Sequence, residues 1–378
     1  MKLQIQPYLI PLVWVFSALA VFFPSKYFPY ERAMQVELAV MAMIITALTA
    51  MTISKYFDRK SHNFRKKNNF LKFHIEYRFF VWFVIFYIAI FDSLGIFAFS
   101  ESVFSSKSVL DNASFVKWPI NFKLLSGFLI GYFYIIFKKE FYAHLLVSIL
   151  FSFLFAERLH LMEFVISVFV GYLCANDIKV SIKKIFNISI SFIIIFMAFE
   201  ATRNFYVMYF VKGTGISFKD AIYNLFERFA AYYGDTTNKF AIVLSNPDVD
   251  YYPFHYLYWF KKQLTKDETW FSGTSVGALA DSSNASYENL TNIGSFALLY
   301  SDFGVMSLII CMIFGIIPSY LFLKFNARPS LIMGILLIVF IINALEFTRI
   351  FYIFNLRSWM SFVPILIYSF LRHVNRAS

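Results

Sequence analysis

Arginine and acidic side chains recur at the ends of long apolar runs in this chain. Glu157, Arg158 and Glu163 flank the start of one run, and Glu200 and Arg203 sit three apart at the end of the next. Asp302 opens a further run; Glu346 and Arg349 sit three apart at the end of another, with Arg357 before the last. Charged groups near a bilayer interior are costly, so by default they point to a cavity-facing site. An acid and a base three apart on a helix can also pair with one another or reach out to the surface. For Glu200–Arg203 and Glu346–Arg349 that plain reading stands beside the functional one. For Arg158 the plain reading is pairing with Glu157 or Glu163, and for Asp302 it is a cap on the helix that follows.

Several arginines on one face of a membrane suit an anion. Guanidinium is always charged and forks onto phosphate with paired hydrogen bonds. A lipid-linked diphosphate at the membrane surface is a natural partner. If it is also a leaving group, it needs positive charge as it departs. A carboxylate beside it could orient or deprotonate an attacking hydroxyl. Nucleotide and metal motifs are missing: the sequence holds no Walker loop, no Gly-x-Gly-x-x-Gly, no His-Glu-x-x-His and no Gly-x-Ser-x-Gly. Gly213-Thr214-Gly215 is too short to cradle a phosphate. The two cysteines, Cys174 and Cys311, lie in apolar runs and form neither a disulfide framework nor a zinc site. The expectation is a protein with no metal and no cofactor, whose substrate brings its own activated bond.

The elements that must position these residues are membrane helices. The 378 residues are 59% hydrophobic and 15% charged, against about 45–50% apolar and about 25% charged in a soluble domain. The excess falls in blocks that read as ten spans, at 7–23, 33–53, 79–99, 119–137, 141–156, 161–175, 185–199, 303–323, 330–346 and 359–371. The fifth and sixth are short; they extend through Glu157-Arg158-Leu159-His160 or form a partial hairpin. The expected fold is therefore all-α: a polytopic integral membrane protein of about ten transmembrane helices with one large periplasmic loop containing short helices. It divides into a seven-helix region, 1–199, the loop, 200–302, and a three-helix region, 303–378. Residues 7–23 are read as a retained span, not a cleaved leader.

Charge sets the orientation. The six short segments assigned to the cytoplasm hold 18 Lys and Arg in 58 residues, and the four short outer loops hold 7 in 45. That asymmetry places both termini inside and the large loop outside, and it accounts for the net charge of +11 without nucleic acid. The stretch 200–290 carries ten Tyr, nine Phe and two Trp. Within it, Ile222, Leu225, Phe226, Phe229 and Tyr233 recur at helical spacing, so a helix is expected over Phe218–Tyr233, opened by a Ser217–Asp220 capping box. A second aromatic cluster runs from Tyr251 to Phe260. These rings suit either an interfacial belt or platforms for sugars.

The stretch Thr291-Asn292-Ile293-Gly294-Ser295-Phe296-Ala297-Leu298-Leu299-Tyr300-Ser301-Asp302-Phe303-Gly304 resembles the segment before a late membrane helix in bacterial O-antigen polymerases of the Wzy type, the oligosaccharide repeat-unit polymerases. The stretch Glu157-Arg158-Leu159-His160-Leu161-Met162-Glu163-Phe164 is similar to that family's Arg-containing turn between two middle helices, although Glu157 stands where the family usually has a small residue. Arg203 is followed by Gly213 and Gly215, one short and one long of the Arg-to-Gly spacing that some members carry in the loop.

The resemblance implies a glycosyltransferase in the bacterial inner membrane. A chain growing on undecaprenyl diphosphate would be transferred to a hydroxyl of an incoming lipid-linked repeat unit, with release of undecaprenyl diphosphate. Arg158 and Asp302 would be catalytic; Arg203, Arg228, Arg349 and Arg357 would bind substrate. Expected partners are undecaprenyl-diphosphate-linked oligosaccharides, membrane lipid, and a chain-length regulator and flippase of the same pathway. The alternatives are an O-antigen ligase, which typically has a His motif in its large loop where this chain has only His255, and a lipid-linked oligosaccharide flippase or transport component.

Overall fold

The computed structural model describes residues 2–3, 6–22, 34–67, 81–87, 89, 122–134, 138–140, 142–146, 158–175, 178–179, 213, 217–245, 257, 294–328 and 330–377. The seventh span expected at 185–199, the Glu200–Arg203 pair and the aromatic cluster at 251–260, apart from Leu257, lie outside the described residues. Among the described residues the chain is helical, save for an antiparallel pairing of two-residue strands, β1 (Lys2–Leu3) with β2 (Ile178–Lys179).

The first expected span is a 3-10 turn, Pro7–Leu9, followed by α1, Leu12–Ala20. The second is α2, Met34–Lys67, which continues well past residue 53. Nothing between Met34 and Lys67 is Gly or Pro, and Lys and Arg are good helix formers. The basic segment 54–78, assigned from its charge to a cytoplasmic loop, therefore continues the helix as far as Lys67. The fourth span is seen as α3, Lys123–Tyr132, and the sixth as α4, Arg158–Ala175, which takes in Arg158 to His160. The loop helix α5, Phe218–Ser245, starts where expected but runs twelve residues beyond Tyr233.

The helix expected at 303–323 begins after a break in the helical run. α6, Ser295–Phe303, ends at Gly304, whose φ of 55° suits a residue with no Cβ. A single 3-10 turn leads into α7, Ser307–Ala327. α8, Leu331–Glu346, opens on Ser330, whose side chain accepts from the Met333 amide. The stretch expected as the last span, 359–371, is divided between α9, Leu356–Met360, and α10, Val363–Ala377.

Among the described residues, two stretches are long and apolar enough to cross a membrane: Gln35–Lys60 and Ser295–Ala327. Pro7–Ala20, Met162–Cys174, Leu331–Glu346 and Ser358–Leu371 are shorter apolar helices. Their outward faces carry large exposed apolar side chains: Met41, Ile45 and Leu48 on α2, Ile309 and Ile313 on α7, and Leu366, Ile367 and Phe370 on α10.

Among the described residues, two apolar clusters hold the helices together. The first gathers α1, α2, α5, α6 and the start of α7 around Trp14, which stacks on Phe347 at 4.9 Å and meets Phe296 edge-on at 5.5 Å. The second gathers α3, α4, α8 and the end of α7 around Phe128. In it α3 and α4 nearly touch backbone to backbone. A Cβ on Gly131 would lie 2.0 Å from the Val168 carbonyl oxygen, and one on Gly171 would lie 2.2 Å from that of Phe128. Gly127 and Gly131 make a small-xxx-small face of the kind that packs membrane helices closely. Gly127 faces Phe164 and Ser167 while Gly131 faces Val168 and Tyr172, so α3 and α4 run in the same direction. Parallel neighbours require a return between them. Residues 138–140 and 142–146 supply part of it: the Tyr142 and Tyr134 hydroxyls lie 3.2 Å apart, and His144 meets Phe164 edge-on at 4.3 Å.

The helix ends segregate. At one end the strands pair Lys2 with Lys179, and the Tyr8 amide donates to Asp58 Oδ2 at 3.2 Å. The Phe57 ring meets Tyr320 there as well. At the other end α1 reaches α5 and the turn after α8. Thr237 Oγ1 donates to the Ser17 carbonyl at 3.2 Å, and the Ser17 and Thr348 hydroxyls lie 3.0 Å apart.

Candidate functional site at the loop end of the helices

The loop end holds a layer of buried polar groups. Its tightest knot is Lys123, Glu163 and Tyr352, each side chain fully buried. Lys123, the first residue of α3, forms an ion pair with Glu163 Oε2. The Tyr352 hydroxyl donates to Glu163 Oε1 at 2.5 Å. Taking a carboxylate and an ammonium out of water costs several kcal/mol per ion, and is tolerated only with such partners. The Glu163 carboxylate is therefore engaged by Lys123 and Tyr352, and the pairing with Arg158 considered from sequence is not the one that holds it. Sequence reading passed over Lys123 and Tyr352. The available signal was a lone Lys near the start of an apolar run.

The turn after α8 carries Arg349. Arg349 Nη1 donates to Glu346 Oε2 at 2.6 Å, so the two residues three apart do pair, as the plain reading expects. The same guanidinium lies 6.0 Å from the centre of the Tyr233 ring on α5, a cation–π distance that links the turn to the loop helix. The turn is pinned at several further points. Asn343 Oδ1 accepts from the Ile353 amide at 2.9 Å, the Ser295 amide donates to the Phe347 carbonyl at 3.1 Å, and Trp359 Nε1 donates to the Ile353 carbonyl at 2.6 Å. Trp14 Nε1 donates at 2.6 Å to the carbonyl of Ala344, one of the last four of α8, which no helical amide can reach.

The loop helix α5 contributes its second half. Ser217 caps it: Ser217 Oγ accepts from the Asp220 amide at 3.2 Å and donates to Asp220 Oδ2 at 2.6 Å. The serine half of the expected box thus forms, while the acid accepts from the serine hydroxyl where a capping box would have it accept from the Ser217 amide. Further along, Asp235 and Lys239 pair at 2.8 Å, both buried. Burial raises the Asp235 carboxyl above its ordinary value, while Lys239 pulls it back down.

Asp302 is buried near the end of α6, one residue before the helix ends at Phe303. It caps nothing. The residues at the cap positions of the 3-10 turn and of α7 are Phe303 and Met306, and neither makes a side-chain cap bond. The capping role considered from sequence does not hold, because the helix does not begin at Asp302.

Arg158 is the first residue of α4, Arg228 lies on α5 and Arg357 lies on α9; their side chains fall outside the described residues, as does all of Arg203. The backbone still places Arg158 five residues before Glu163 on one helix, and Tyr352 between Arg349 and Arg357 on the turn. Arginine at a helix N-terminus opposes the helix dipole, which favours anions there. No family model, curated protein or solved structure matches the chain.

Proposed function

We propose that this chain is an oligosaccharide repeat-unit polymerase of the outer face of a bacterial inner membrane. It would span the bilayer about ten times with both termini inside. A saccharide chain on undecaprenyl diphosphate is the donor, and a hydroxyl of a new lipid-linked unit attacks its anomeric carbon. The C–O bond to the diphosphate breaks, undecaprenyl diphosphate leaves, and the proton of the hydroxyl goes to a base. In this reading Arg158, with Arg349 or Arg357, stabilises the departing diphosphate. Asp302 orients the acceptor hydroxyl or supports the arginines, and Arg203 and Arg228 bind saccharide or diphosphate from the loop.

The membrane part is supported by the outward apolar faces of α2, α7 and α10, which soluble monomers rarely expose as contiguous patches. The ten-span order is supported by the parallel packing of α3 and α4, which are the fourth and sixth spans and both run inward in that order. It is supported again by the strand pairing of 2–3 with 178–179, two segments the charge count puts on the cytoplasmic side.

The observation that carries the enzymatic part is the convergence at the loop end. The Arg349-bearing turn sits against the loop helix through Tyr233, and the helix that opens with Arg158 is tied to that same turn through Glu163 and Tyr352. Deletion in a strain that makes polymeric antigen tests it. A polymerase null leaves lipopolysaccharide core plus one repeat unit; bare core would assign the chain as a ligase, and little or no attached antigen as a flippase.

A further inference from the structure

The Lys123–Glu163–Tyr352 knot ties together the two segments that carry arginine at the loop end. Glu163 lies on α4 five residues after Arg158, roughly 7.5 Å along the helix axis. Tyr352 lies on the turn between Arg349 and Arg357. One contact, Tyr352 hydroxyl to Glu163 Oε1 at 2.5 Å, therefore bridges them. Lys123 comes from a third helix and holds the other carboxylate oxygen.

As a stability device this knot is a poor choice. Apolar residues of similar volume would pack the same space as well or better, because they avoid desolvating two ions and a phenol. What a buried, fully directional contact adds is a fixed relative position. A guanidinium fork needs that, because paired hydrogen bonds to phosphate fail when the two ends shift.

We propose that Glu163 is a positioning residue: held by Lys123, and acting through Tyr352, it sets the spacing between Arg158 and the arginines of the 347–358 turn so that together they grip a diphosphate. The inference rests on the diphosphate reading above and adds the device that presets the grip. The side chains of the knot do not touch substrate. They act through the segments they join.

The test uses the purified full-length protein in nanodiscs and two probes, undecaprenyl diphosphate and undecaprenol, with Kd measured for each. Tyr352→Phe keeps the ring in the core and both members of the Lys123–Glu163 pair, and removes the hydroxyl that reaches Glu163. Loss of a hydrogen bond to a charged group predicts that it binds undecaprenyl diphosphate about tenfold more weakly. Undecaprenol affinity should stay unchanged. In an Arg349→Ala/Arg357→Ala background the same Tyr352→Phe change should have little further effect, because residues acting as a unit are non-additive. Unchanged diphosphate affinity in Tyr352→Phe overturns the proposal. So does an equal loss for undecaprenol, which marks general loosening, and so does full additivity with the arginine variants. Should the wild type itself show no preference for the diphosphate over the alcohol, the functional reading fails instead, and the two failures are distinguishable. Glu163→Gln, with its fold confirmed, gives a second reading: its Kd for undecaprenyl diphosphate should rise at least as far as that of Tyr352→Phe, and an unchanged Kd overturns the proposal.

Discussion

Buried charge at the loop end separates residues that hold the structure from residues proposed to act. Glu163→Ala would take away the carboxylate paired with the buried Lys123 ammonium, and breaking a buried pair in this way costs about 3–5 kcal/mol. Its melting temperature in detergent should drop sharply, whereas the double change Lys123→Met/Glu163→Leu should recover most of the loss. A double variant no more stable than the single one would contradict this account. Arg158 is expected to behave in the opposite way. Losing a transition-state charge contact costs about 2.7–4 kcal/mol, or about 10²–10³ in rate, while an exposed ion pair is worth roughly 0–1 kcal/mol. Arg158→Ala should therefore abolish polymer ladders at normal protein level, and Arg158→Lys should rescue poorly because a point charge does not reproduce the fork. Full-length ladders from Arg158→Ala would end the role assigned to it.

Asp235 gives a pH-dependent expectation at the same scale. Burial raises its carboxyl in the folded state, so the fold binds that proton more tightly than the unfolded chain does. The resulting contribution is fully present below the unfolded carboxylate range and is lost as pH rises through the raised folded value. Asp235→Asn removes the titration, so its melting temperature should fall less than that of the wild type as pH is raised across that window. Identical slopes for the two proteins would show that Asp235 is not the source.

At the scale of the elements, the contact of α3 with α4 is the most demanding. A methyl group on Gly131 would meet the Val168 carbonyl oxygen at 2.0 Å, a backbone atom that cannot swing aside. Overpacking of this kind costs about 1–3 kcal/mol for a small group, and more for a larger one. Gly131→Ala should lower thermal stability measurably and Gly131→Leu should remove folded protein from the membrane fraction. A stable Gly131→Leu variant would show that the helices can separate. The break at Gly304 matters in a different way: it ends α6 just after Asp302 and turns the chain into α7, so the acid belongs to the helix packed against α5 and not to the start of α7.

For the whole molecule, the two groups of helix ends make a topological statement. The end that joins Lys2, Lys179 and Asp58 is expected inside, and the end where α5 meets Ser17 and Thr348 is expected outside. Alkaline phosphatase fused after Ser245 should be active in the periplasm, and a fluorescent protein fused after Ser378 should be fluorescent in the cytoplasm. Phosphatase activity from a fusion after Ser378 would refute the ten-span order. The exposed faces of α2, α7 and α10 carry the same message about the solvent around them, since apolar side chains spaced one turn apart on an outward face are suited to lipid.

The sequence by itself determined what depends on local composition. Apolar runs, basic turns and a Ser–x–x–Asp start are each written within a few neighbouring residues, so α8, the onset of α5 and the Ser217 cap could be read directly. Pairing of Glu346 with Arg349 was also legible, because three residues make almost one helical turn. Only the tertiary structure decided which buried charges meet across the fold. Lys123, Glu163 and Tyr352 are 40 and 189 residues apart in sequence, and nothing local to any of them names the others. The tertiary structure likewise decided that α3 and α4 run parallel in near backbone contact, and that the helix break falls after Asp302 and not before it. Hydrophobic periodicity fixes that a face will be buried. Which partner buries it, and at what register, is set by the fit of glycines, rings and buried ions brought together from distant parts of the chain.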